Sequence, residues 1–194
     1  MDSILDIETV DLDDENSALV IIDQTLLPGE VKILHLTAQQ EIWEAIRRLK
    51  VRGAPAIGVA AAFGIYLAAK EIETESFDEF FAGLKKAAEY LNSSRPTAVN
   101  LSWALKRMLH KAETSSDKSV CEIKEILLKE AGLIKKEDTD VCFKIGENAL
   151  GLLNKGMGLL THCNAGQLAT SRYGTARKRT DGPLTELVFV FLRL

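Results

Sequence analysis

The sequence predicts a mainly α domain with a small β-sheet at its N-terminus, followed by the start of an α/β domain. Three observations predict it. Apolar residues recur at helical spacing through most of the chain before residue 154. Short β-branched runs punctuated by a Pro-Gly turn precede them. After residue 154 the pattern changes to a turn, a strand-like run and a helix start, which is how an α/β domain begins. The expected boundaries are 1–36 for the sheet, 37–154 for the helical domain and 155–194 for the α/β start.

In the first region, Ala18 to Ile22 and Val31 to Leu36 are strand candidates on either side of Leu27-Pro28-Gly29-Glu30. Thr37-Ala38-Gln39-Gln40 has the form of a capping box, and Ile42, Ala45, Ile46 and Leu49 extend an amphipathic helix to about Lys50. From Ala56 to Lys70 the chain is apolar on every side and rich in Ala and Gly, which describes a helix buried all round, with Pro55 suited to its first turn. Ser76-Phe77-Asp78-Glu79 caps a third helix through Phe80, Phe81, Leu84, Ala87, Ala88 and Leu91, stopping at Asn92-Ser93-Ser94. Leu101, Ala104, Leu105, Met108 and Leu109 make a fourth. Ser119-Val120-Cys121-Glu122 caps a fifth that ends near Gly132, and Val141, Ile145, Ala149, Leu152 and Leu153 mark a sixth. Asn154 to Gly158 reads as a turn, Leu159 to Cys163 as a short strand, and Asn164-Ala165-Gly166 as the opening of a helix.

At 194 residues, 46% hydrophobic and 27% charged, the chain suits a soluble globular protein with one core, or one domain and part of another. A net charge of -4 gives no reason to expect nucleic acid, whose backbone calls for a basic stripe. Cys121, Cys142 and Cys163 are odd in number and widely spaced, so neither a disulfide framework nor a Cys-x-x-Cys metal site is expected, and no metal ligand cluster stands out. The acidic N-terminus and the lack of a long apolar run predict no membrane partner and a cytoplasmic location.

Three segments depart from plain patterning. In Val51-Arg52-Gly53-Ala54-Pro55, an arginine and a glycine stand directly before a buried helix, so backbone N–H groups, the helix dipole and a guanidinium can converge on one anion. The alternative is a tight turn with Arg52 paired to a surface carboxylate. In Ser94-Arg95-Pro96-Thr97-Ala98-Val99-Asn100, a rigid loop holds a second arginine ahead of another helix; in isolation it reads as an exposed loop arginine. In Thr161-His162-Cys163-Asn164-Ala165-Gly166, polar residues stand at the C-terminal end of a strand, where open α/β sheets bind ligands. A cysteine there can have a lowered pKa, whereas Cys121 and Cys142 are expected to be buried structural thiols on amphipathic helices. His162 and Cys163, neighbours on a strand, point to opposite faces and make a poor metal pair.

The three motifs at 51–62, 94–101 and 160–166 together resemble the methylthioribose-1-phosphate isomerase family in residues, order and spacing. A weaker resemblance extends to ribose-1,5-bisphosphate isomerase and to the regulatory subunits of a translation initiation factor's guanine-exchange complex. The resemblance covers about residues 15 to 176. It implies a Rossmann-like C-terminal domain, a homodimer when full length, a small sugar phosphate as the bound molecule, no cofactor, and conversion of 5-methylthioribose 1-phosphate to methylthioribulose 1-phosphate in methionine salvage. By the same resemblance, Arg52, Gly53, Ala54 and Arg95 hold the substrate and Cys163 is catalytic, with a later aspartate as its partner.

After Ala176 the chain departs from that pattern, through Arg177 to Pro183 and Leu187 to Leu194. The chain is therefore expected to be truncated, without the aspartate-bearing segment and inactive alone. Its last strand-like run is expected to lack neighbours and to be sticky. Two other classes remain beside the enzyme: a non-catalytic regulatory module related to the exchange-complex subunits, and an idle helical domain. Arg52, Arg95 and Cys163 together favour the enzyme, because a module has no chemical need of all three.

Overall fold

The chain opens with a three-stranded antiparallel meander, β1 (Val10–Asp13), β2 (Ala18–Ile22) and β3 (Ile33–Leu36), with Val10 opposite Ile21 and Leu19 opposite Leu36. The computed structural model describes residues 7–152, 154, 158–162, 164–175 and 188–192. β2 is buried along nearly all its length because β1 and β3 flank it and α2 packs on the sheet. β3 is one of the two edge strands, and its Ile33 and His35 face outward.

Five helices follow: α1 (Gln39–Arg47), α2 (Ala54–Glu71), α3 (Phe77–Ser93), α4 (Val99–Glu113) and α5 (Val120–Leu150). The expected mainly helical fold with a small sheet is what forms. α2 is its axis, in contact with α1, α3, α4, α5, β1 and β2, and buried without a break from Ala56 to Ala69. Its Ala and Gly residues let the neighbours approach closely, while Ile57, Val59, Ile65 and Leu67 each gain about 1.5–3 kcal/mol from burial. α3 and α5 begin on the serines that the sequence marks, Ser76 and Ser119, each accepting from the backbone N–H three residues on.

Several expectations change. α1 stops at Arg47 instead of continuing to about Lys50: Leu49 turns to φ 60° and the N–H of Lys50 returns to the carbonyl of Ala45. Its start is served by Glu41, not Gln40; the Glu41 carboxylate accepts from the N–H groups of Thr37 and Ala38. The fifth and sixth helices are one helix of 31 residues, so Gly132 ends nothing and no new helix starts before Val141. A single glycine costs a helix only about 1 kcal/mol. Contacts on both sides of Gly132 outweigh that: Ile123, Leu127, Ala131 and Ile134 are buried, and Arg107 of α4 pairs with both Glu130 and Glu137.

Cys121 is exposed, contrary to expectation, because it falls outside the stripe set by Val120, Ile123 and Leu127; Cys142 is buried. The strand at 159–163 forms as β4 (Gly158–His162), and the last strand-like run, β5 (Val188–Leu192), does not lack a neighbour, since it pairs with β4 in parallel. Asn164-Ala165-Gly166 opens only one 3-10 turn, Gln167–Ala169. Asn164 Oδ1 accepts from the Gly166 N–H, then Thr170 is extended and Tyr173 takes φ 68°, so no α-helix can propagate. The expected turn at 154–158 lies mostly outside the described residues.

Candidate anion-binding site

Gly53 is where the site begins. Its φ of 96° is a conformation that side chains resist, and a Cβ built on it would lie 2.3 Å from the Cα of Ala169. Only glycine lets the 3-10 turn press against the start of α2. Arg52, half-buried, donates from Nε to Gln24 Oε1 at 3.3 Å. Among the described residues it pairs with no carboxylate.

α2 begins without any side-chain cap, and α4 does likewise at Ala98; neither has an acidic residue in its first turn. α1, α3 and α5 each carry a glutamate or aspartate there. Uncapped N–H groups and an uncompensated positive helix end are what an anion requires. The two uncapped ends are neighbours: a Cβ on Gly58, in the second turn of α2, would lie 3.2 Å from the carbonyl oxygen of Asn100, in the first turn of α4.

Arg95 stands in the loop just ahead of α4. Its carbonyl accepts from the Ala98 N–H, and its half-buried side chain has no hydrogen bond or ion pair among the described residues. The loop is steadied from α1, where Trp43 Nε1 donates to Ser93 Oγ at 2.9 Å and Arg47 Nη1 to the Ser94 carbonyl at 3.4 Å. Arg52, Gly53 and Ala54 thus lead into α2 and Arg95 into α4, whose first two turns approach each other.

Cys163 lies outside the described residues. The chain that follows it is firmly attached. Thr9 donates through Oγ1 to the Gln167 carbonyl at 3.0 Å and through its N–H to Ser171, and Gln167 Nε2 reaches the Ile7 carbonyl. Asp138 of α5 accepts from both the N–H and Oγ of Ser171, at 2.7 and 2.6 Å. The motif residues give no hint of Gln24 and Asp138; the β-branched run ending at Ile22, two residues before Gln24, is the nearest signal. Among the described residues no group of three His, Cys, Asp or Glu could hold a metal ion, and no helix is long and apolar enough to cross a membrane.

The family model described as the initiation factor 2 subunit family matches residues 50–183. The chain belongs to this family. The match takes in the Arg52 and Arg95 segments and runs past Ala176, to residue 183. A methylthioribose-1-phosphate isomerase of Symbiobacterium thermophilum is 56% identical over 170 residues, 88% of this chain and 47% of the relative. A 5-deoxyribose 1-phosphate isomerase of Clostridium botulinum is 54% identical over 164 residues, 84% of this chain and 47% of the relative.

Among solved structures, the 5-methylthioribose 1-phosphate isomerase from Pyrococcus horikoshii OT3 superposes with a TM-score of 0.81 at 42% identity, over 86% of this chain and 46% of that one. The translation initiation factor eIF-2B subunit delta from A. fulgidus does so with a TM-score of 0.77 at 43% identity, over 87% and 48%. The chain spans about half the length of the curated relatives it matches.

Proposed function

We propose that this chain is the phosphate-holding N-terminal part of an aldose–ketose isomerase whose substrate is 5-methylthioribose 1-phosphate. The observation that carries the reading is the meeting of two uncapped, acid-free helix starts at one edge, each preceded by an arginine with no ion pair among the described residues. Arg52, Arg95 and the N–H groups at Gly53 and Ala54 hold the dianion by charge-assisted hydrogen bonds. Holding the phosphate also orients the sugar carbons for the chemical step.

The phosphate sits on the anomeric oxygen, so the ring cannot open to a free aldehyde unaided. An acid protonates the ring oxygen as its bond to C1 breaks. The hydrogen on C2 then moves to C1, the C2 hydroxyl loses its proton and becomes the carbonyl, and no external oxidant or reductant is consumed. Cys163, the residue that follows β4 in the sequence, is the catalytic group this chain contributes.

The name carried by the Clostridium botulinum relative favours 5-deoxyribose 1-phosphate as a second substrate, differing only at C5, remote from the phosphate. The likeness to the initiation factor subunit supports a non-catalytic module as the competing reading. Calorimetric titration with both sugar phosphates separates these. Binding of either, weakened about tenfold or more by Arg52→Ala and by Arg95→Ala, is the expected result. Absence of binding by the wild-type chain would remove the isomerase reading and leave the module.

A further inference from the structure

Gln24 is 1% exposed, and both ends of its amide are engaged. Its own N–H donates to the Lys50 carbonyl at 2.9 Å, which fixes it beside the chain leading into Arg52. Oε1 accepts from Arg52 Nε at 3.3 Å, and Nε2 donates to the Leu168 carbonyl at 2.8 Å. Chemistry fixes this orientation, because a guanidinium can only donate and a carbonyl can only accept. A flipped amide would meet repulsion at both ends.

We propose that Gln24 is a positioning residue that holds the Arg52 guanidinium by its Nε edge and ties it to the 3-10 turn pressed against Gly53. The proposal rests on the reading that Arg52 holds the substrate's phosphate. Pinning through Nε leaves the two Nη groups, unpartnered among the described residues, for a phosphate. An amide does this without cancelling charge, whereas a carboxylate in the same place would pair with Arg52 and compete with the anion. A long arginine otherwise loses its rotamer freedom when it binds; here that cost is met on folding.

The test uses the 15N-labelled chain with Gln24→Met, which keeps length but abolishes the donor and weakens the acceptor, and Gln24→Glu, which keeps the acceptor and adds charge. The readouts are the order parameter of the Arg52 Nε–H and the affinity for inorganic phosphate, at matched folded fraction. In the wild type the Nε–H should be rigid. Gln24→Met should mobilise it and weaken phosphate binding roughly tenfold; Gln24→Glu should leave it rigid yet weaken phosphate at least as much. A merely structural role would not produce that split, and the Glu variant carries the test if the Met variant does not fold. Equal rigidity in wild type and Gln24→Met overturns the proposal. Unchanged phosphate affinity in both variants, while Arg52→Ala weakens it, also overturns it and spares the Arg52 reading. No phosphate binding by the wild type removes the Arg52 reading, and the anion role of Gln24 with it.

Discussion

Cys121 and Cys142 sit on one helix and differ in what governs a thiol. Cys142 is 2% exposed and its Sγ faces Asp138 Oδ1 at 3.9 Å; burial, then the neighbouring carboxylate, pushes its pKa from 9.0 up to about 11. Cys121 lies open to solvent in the first turn of α5. Mild alkylation at neutral pH followed by peptide mapping should therefore label Cys121 well before Cys142. The shift also has a stability consequence of definite sign. Between 9.0 and about 11 the unfolded chain sheds a proton that the folded chain keeps, so this contribution is complete below pH 9 and fades as pH rises through that window. Urea midpoints at pH 8 and 10.5 should fall more for the wild type than for Cys142→Ala; equal falls would show that burial does not suppress the thiolate.

At the level of elements, α5 gives the sharpest contrast between pattern and packing. Gly132 was readable as a helix end because glycine often follows a C-cap, yet the helix runs on and a Cβ there would meet nothing within 4 Å. Gly132→Ala should then stabilise the protein by about 0.5–1 kcal/mol, raising its melting temperature. A lower melting temperature would mean that the glycine is needed for a bend.

The serine caps and the all-apolar α2 were legible in the sequence, since each is a local matter of hydrogen bonding or of which faces lack polar groups. The Arg52-Gly53-Ala54 start was legible for the same reason. The continuity of α5 was not, because Arg107 lies on another helix and pairs with Glu130 and Glu137, on either side of the glycine. Nor was the exposure of Cys121, which depends on where the buried stripe of α5 falls. Gln24 was invisible as a site residue because its partners, Arg52 and Leu168, are remote along the chain.

Across the whole molecule, the segment 164–175 is the clasp between distant parts. It is bound to the start of β1 through Thr9, to α5 through Asp138, and to the α2 start through Gln24 and the close approach at Gly53. A chain ended at residue 154 would leave these polar groups without partners. An orphaned buried group costs about 1–3 kcal/mol, so the loss should reach about 3–6 kcal/mol and shift the urea midpoint well below that of a chain ended at residue 175. Coincident midpoints would show that the segment only rests on the helical body.

The clasp also sets an order of events during synthesis. Gln24 and Leu168 are 144 residues apart, and at the usual 5–20 residues per second a ribosome needs roughly 7–30 s to make the second after the first. The helices, each closed by near neighbours, can fold inside that interval. On the proposed role of Arg52, a nascent chain with its helices already packed would therefore still lack a firm grip on an anion, and would acquire it only when the residues of the clasp leave the exit tunnel.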